Sequence, residues 1–176
     1  IVEFIYRVRG QVLLEWHQLD AAEQCALQGI QILDELGDQR WRLQSHALLA
    51  GVAYARGQQN ACADYISQMQ TMLADDRYHI DWLANAHAVM LAYWDSSQDR
   101  EAIRQWLISA PPVSAGANHF SQLNARNHAR AHVALGQLDS ASPILRQLLT
   151  DAERHGLVMD RNRNHILLAQ LHWLRE

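Results

Sequence analysis

Gln18-Leu19-Asp20-Ala21-Ala22 returns as Gln58-Gln59-Asn60-Ala61-Cys62, Gln98-Asp99-Arg100-Glu101-Ala102 and Gln137-Leu138-Asp139-Ser140-Ala141, the last small residue of each block falling 40, 40 and 39 positions after its predecessor. A fixed period of about 20 to 50 residues marks supersecondary units that bury their apolar faces by stacking on one another. Each block follows a stretch of helical spacing that ends near residue 16, 56, 95 or 135. Each also carries an Asp or Asn able to accept from the unpaired amides of a first turn. The blocks therefore predict helix-to-helix turns, and Asp20 with Glu23 has the spacing of a capping box. Pro143 is expected in the first turn of its helix, where a missing amide costs little.

Working outward, Ala47, Ala50, Gly51 and Tyr54 lie at i, i+3, i+4 and i+7, with Ala63 in the next helix. Small residues on one face let paired helices approach closely. The pattern is that of a tetratricopeptide-like unit, although the period is near 40 and not about 34. Helices are predicted over 2–17, 20–36, 40–56, 60–74, 80–95, 98–109, 119–135, 139–155 and 161–175. The expected fold is all-α, a superhelix of four antiparallel helix pairs plus one helix, with residues 1–176 forming part of one domain. The one long break, Ala110-Pro111-Pro112-Val113-Ser114-Ala115-Gly116-Ala117, suits an exposed loop that interrupts the stack without dividing it. A stack of this kind curves and leaves a groove lined mainly by the first helix of each pair. Both ends of the sequence fall inside helical pattern, as expected of a piece of a longer chain.

The 176 residues, 49% hydrophobic, suffice for a core without a metal or disulfide. Cys25 and Cys62 have no paired spacing, which fits a reducing cytoplasm. A net charge of −4 argues against phosphate binding by this segment, so no nucleic-acid contact is expected. No apolar run reaches the roughly 18 residues of a membrane span, and no export signal pattern is seen. GxSxG, HExxH, GxGxxG and phosphate-loop patterns are absent, and the chain is not expected to be an enzyme. His128 and His132 stand at i, i+4, but two ligands fall short of a zinc site, and nothing else groups the ten histidines. No catalytic or metal residue is assigned.

Polar and aromatic residues instead concentrate at the starts of later helices. The clusters are Tyr78, His79, Asp81, Trp82 and Asn85; Asn118, His119 and Phe120 with Arg126, Asn127 and Arg130; and Asp160, Asn162, Arg163 and Asn164. Aromatic faces suit the C–H faces of a sugar ring, and Asn, Asp, Arg and His direct hydrogen bonds to its hydroxyls. The competing reading makes Trp82, Tyr93, Trp94 and Trp106 packing residues, Tyr93 and Trp94 above all, and makes the Asn and Asp residues caps and turns.

Arg7-x-Arg9, Leu19-Asp20-x-Ala22-Glu23, Tyr78-His79-x-Asp81-Trp82-x-x-Asn85-Ala86, Tyr93-Trp94, Asn118-His119-Phe120, Arg126-Asn127-x-Ala129-Arg130 and Asp160-x-Asn162-Arg163-Asn164, in this order and spacing, resemble the MalT family of large LuxR-type activators of maltose regulons. The resemblance implies a cytoplasmic activator with an NTPase domain, a central superhelical sensor and a helix-turn-helix, of which this chain is part of the sensor. It implies maltotriose as inducer and ATP as a cofactor held outside this segment. Self-association, inhibitory proteins and contacts with other domains of the same activator are implied as well. The alternative function is a protein-interaction scaffold, for self-association or inhibitor binding, without a complete sugar site.

Overall fold

The computed structural model describes residues 2–36, 41–75 and 78–176. All regular structure among them is helical: α1 (Val2–Glu15), α2 (Leu19–Leu36), α3 (Arg42–Ala55), α4 (Gln59–Asp75), α5 (Ile80–Ser96), α6 (Arg100–Ser109), α7 (His119–Ala134), α8 (Leu138–Arg154) and α9 (Val158–Trp173). The chain divides into two compact units, Ile1–Tyr93 and Trp94–Glu176. The division falls within α5 and not at the proline-rich break.

In the first unit α1 packs on α2 and α3 on α4, while α3 also packs on α2 and on α1. In the second, α7 packs on α6, α8 and α9, and α8 on α9. The first helix of a pair therefore lies against its equivalent one repeat later, as α1·α3 and α7·α9 show.

The repeated blocks do form the turns, by a device that the sequence reading does not contain. In each, the residue after the helical cap has a left-handed backbone: His17 (φ 58°), Gly57 (φ 70°), Gln98 (φ 59°) and Gly136 (φ 73°), with Gly156 (φ 66°) making a fifth such turn between α8 and α9. The amide of each bonds three residues back and that of the next residue five back, as in His17 N to Leu14 O (3.0 Å) and Gln18 N to Leu13 O (2.8 Å). This Schellman pairing satisfies carbonyls that a helix end would strand and leaves a three-residue connection.

Asp99 is a side-chain cap, accepting from Ala102 N at 3.0 Å. Asp20 and Glu23 are not a capping box: α2 already begins at Leu19, and both carboxylates bind Arg56, at 2.5 and 2.8 Å. Arg175 reaches Asp139 at 2.7 Å across the same 36 residues. Solvent screens such exposed clamps, and they add little to stability. A capping box lies at Asn118 and Ser121. Pro143 is in the second turn of α8, because that helix starts at Leu138; its ring removes the amide that would bond the Asp139 carbonyl, at an exposed residue. Helix α9 starts three residues earlier than expected, at Val158.

The closing small residue of each block is buried at Ala22, Cys62 and Ala141 and half-buried at Ala102, which lets the second helix seat against the first. Ala47 and Ala50 are buried as the tetratricopeptide-like spacing requires, but Tyr54, near the end of α3, is 37% exposed. Leu145, Leu148, Leu167 and Leu171 fill the core between α8 and α9 around Ala125 and Ala129 of α7. Trp94 and Trp106 are buried packing residues, and Tyr93 is half-buried. Cys25 and Cys62 are buried free thiols, and burial pushes that of Cys62 up to about 11.

A side chain at φ near +60° costs about 1 kcal/mol relative to glycine. His17→Gly and Gln98→Gly are each expected to raise stability by about 0.5–1 kcal/mol, measured from urea midpoints. Gly57→Ala and Gly136→Ala should lower it by about 1 kcal/mol although an added Cβ meets nothing within 4 Å, which isolates the backbone term.

Candidate functional site

One cluster forms in each unit. In the first, the half-buried indole of Trp82 leans on that of Trp41, ring centroids 4.2 Å apart at 46°, and meets Tyr78 edge-on at 6.3 Å. Trp41 caps the start of α3, and Trp82 opens α5, one repeat later. Gln44 donates from its amide to the Trp82 carbonyl oxygen at 2.5 Å and accepts from Asn85 Nδ2 at 3.4 Å. His79 is exposed, with Nδ1 accepting from the Asp81 amide at 3.3 Å and lying 3.4 Å from the half-buried Asp81 carboxylate. The result is three partly open aromatic rings beside two neutral amides. Trp41 and Gln44 are absent from the sequence-derived set. The signal for them is the period: Trp41 and Trp82, like Gln44 and Asn85, stand 41 residues apart.

The second unit holds a buried polar network. Arg126, 1% exposed, pairs with Asp160 at 2.8 Å and donates to Asn164 Oδ1 at 3.3 Å. Asn164 donates to Gln122 Oε1 at 2.9 Å, and Gln122 passes its own amide hydrogens to the carbonyl oxygens of Gly116 and Leu148, both at 3.1 Å. The Gly116 amide ends the chain on Asp151 at 3.1 Å. Spacing explains the geometry: His119, Gln122 and Arg126 at i, i+3, i+7 share one face of α7, and Asp160 and Asn164 at i, i+4 share one face of α9. His119 spans the two helices at 41 residues' separation, its Nδ1 lying 3.1 and 3.2 Å from the Asp160 oxygens, and its ring meets half-buried Phe120 at 5.5 Å.

A neighbouring face of α7 holds the proline-rich segment. Asn124 donates to Pro112 O at 3.2 Å, and His128 Nε2 bonds Pro111 O at 2.8 Å while its ring packs on Trp106. The segment expected as an exposed loop is thus strapped at both ends, and Gly116 is buried. His132 bonds Gln137 instead, so the two histidines serve different partners. The period groups the histidines after all, since His46, His87 and His128 recur 41 residues apart. Burial lowers the pKa of His128, against the pull of its bond to Pro111.

Of the residues proposed from sequence, the structure joins His119, Phe120, Arg126, Asp160 and Asn164 in one cluster and Tyr78, Trp82 and Asn85 in the other, with His79 and Asp81 beside them. Asn118 is spent as the cap of α7. Asn127 is fully buried, Asn162 is exposed and Arg163 is half-buried. Among the described residues no group of three or more His, Cys, Asp or Glu could hold a metal, and no helix is long and apolar enough to cross a membrane.

Burial alone would push the Asp160 carboxyl up, but the His119 bond and the charge and bond of Arg126 outweigh it and hold the group below the usual carboxylate range. Burial draws the Arg126 guanidinium down, with Arg163 and Arg130 adding to the effect and Asp160 opposing it. Arg126→Leu is expected to cost about 3 kcal/mol or more, because it strands a buried carboxylate. A depressed carboxyl stabilises fully above its unfolded value, near pH 4, and that contribution is lost as pH falls through the folded value. Acid unfolding of Asp160→Asn, followed by circular dichroism, should therefore show a shallower loss of stability below about pH 4 than the parent.

The MalT-like TPR region family matches residues 1–176. The HTH-type transcriptional regulator MalT of Vibrio campbellii is 41% identical over 169 residues, 96% of this chain and 19% of that protein. Its namesake in Vibrio cholerae is 40% identical over the same extent, and that of Klebsiella pneumoniae is 37% identical over 171 residues, 97% of this chain and again 19% of the relative. The chain thus spans about a fifth of the length of these relatives, along which the repeat period, the paired helices and the two clusters all lie. It belongs to the MalT-like TPR region family.

Proposed function

We propose that this chain is part of the effector-sensing region of a MalT-like transcription activator and binds a malto-oligosaccharide, with maltotriose as the effector. The observation that carries the reading is the group of half-buried Trp41, Tyr78 and Trp82 beside the amides of Gln44 and Asn85. Rings packed fully into a core expose no face. These rings keep part of theirs next to neutral donors and acceptors, the combination that takes a sugar's C–H face and hydroxyls together. His119 and Phe120 offer a second ring-and-polar-group pair in the other unit. A sugar that binds one arrangement of the repeats better than another shifts the activator toward it by that difference in affinity. In the whole activator, ATP binding, self-association, inhibitory proteins and DNA recognition belong to further domains or to contacts with them.

A second reading, self-association through this segment, is favoured by α1, where Ile5, Val8 and Val12 share a solvent-facing stripe with Phe4 beside it. Sedimentation of the chain without sugar tests it, and a monomer at all concentrations would dismiss it.

Titration with maltotriose at up to about millimolar concentration should change tryptophan fluorescence and release heat, with maltose and an unrelated trisaccharide as controls. Silence in both signals would overturn the sugar reading. Trp82→Ala, at a half-buried position, should keep its helical circular dichroism and lose affinity about tenfold.

A further inference from the structure

We infer that Asp160, anchored by Arg126, fixes His119 in the tautomer protonated on Nδ1, so that its exposed Nε2 is a hydrogen-bond acceptor set for a ligand hydroxyl. An ionised carboxylate only accepts, so a ring nitrogen within 3.1 and 3.2 Å of both its oxygens must be the donor. Asp160 cannot rotate away from this duty. Its side chain is 5% exposed, its Oδ1 is also held at 2.8 Å by Arg126, and it sits in the first turn of α9, whose dipole favours an anion there.

With Nδ1–H committed inward, the neutral ring presents a bare lone pair at Nε2. The His119 side chain is 44% exposed, and among the described residues its hydrogen bonds run from Nδ1. A locked acceptor accepts only a group that donates, and the edge of Phe120 at 5.5 Å supplies an apolar face beside it. The fitting ligand is a neutral polyol whose hydroxyl donates to Nε2, and not a carboxylate or phosphate, which would meet lone pair with lone pair. The polyol identity rests on the sugar reading above, whereas the tautomer rests on the network alone.

Long-range proton–nitrogen correlation spectra of the nitrogen-labelled chain, taken at about pH 8 so that an ordinary imidazole is neutral, test the first half directly. His119→Gln identifies the resonance among the ten histidines. A pyrrole-type Nδ1 and pyridine-type Nε2 are expected; the opposite tautomer, or an averaged mixture, overturns the inference. For the second half, maltotriose should shift Nε2. His119→Gln, which keeps an acceptor, should bind within about threefold of the parent, and His119→Lys, which can only donate, should bind about tenfold more weakly. Equal binding by the Lys variant would overturn the acceptor role. If the parent chain shows the tautomer yet binds no maltotriose, the sugar reading falls and takes the ligand half with it; a wrong tautomer in a chain that binds maltotriose defeats this inference alone.

Discussion

The left-handed residue that closes each first helix governs what the rest of the chain can do. A three-residue connection forces the second helix straight back along the first, and successive hairpins then bring equivalent first helices side by side. Contacts between them consequently join residues about one repeat apart: His119 with Asp160, Gln44 with Asn85 and Gln122 with Asn164 lie 41, 41 and 42 residues apart. Both candidate clusters are products of that adjacency. Neither could be assembled from one helix, and both draw on the first turns, where the side chains of neighbouring first helices meet.

Helix α7 shows what such adjacency demands. With α6, α8, α9 and the proline-rich segment against it, Gln122, Asn124, Arg126 and Asn127 are all buried, although each is a residue type that ordinarily seeks water. Partners come from two directions: α9 serves Gln122 and Arg126, and the segment's carbonyls accept from the Asn124 amide and from His128. The proline-rich segment lies against α7 through the Pro111 and Pro112 carbonyls, which accept from His128 and Asn124, and neither proline has an amide hydrogen left to satisfy there.

Much of this was legible in the sequence, because apolar periodicity and recurring blocks depend on local chemistry and repeat in register. All nine helices of the described residues fall near their expected places for that reason. The turns were placed correctly and explained in part: Asp99 does cap its helix, but Asp20 binds Arg56 instead, and the residue that turns the chain there is His17, whose unusual φ leaves no mark in its identity. The polar clusters were legible as groups of residue types, and their division of labour was not. Asn118 and Asn164 look alike in sequence, yet one caps a helix and the other is a fully buried bridge between Arg126 and Gln122. Trp41 escaped notice because its partners come from the next repeat, and only the 41-residue spacing hints at the encounter.

Chains built of near-copies face a hazard that unrelated elements do not, since any first helix offers roughly the right shape to any other. The Arg126–Asp160 pair acts as an address label against such misassembly. Seating α7 so that no carboxylate stands opposite Arg126 would bury an unpaired guanidinium, an error of several kcal/mol. The indoles of Trp41 and Trp82 mark their own junction in a different chemical alphabet. Divergence among the repeats at these polar and aromatic positions is in this sense what keeps their order unambiguous.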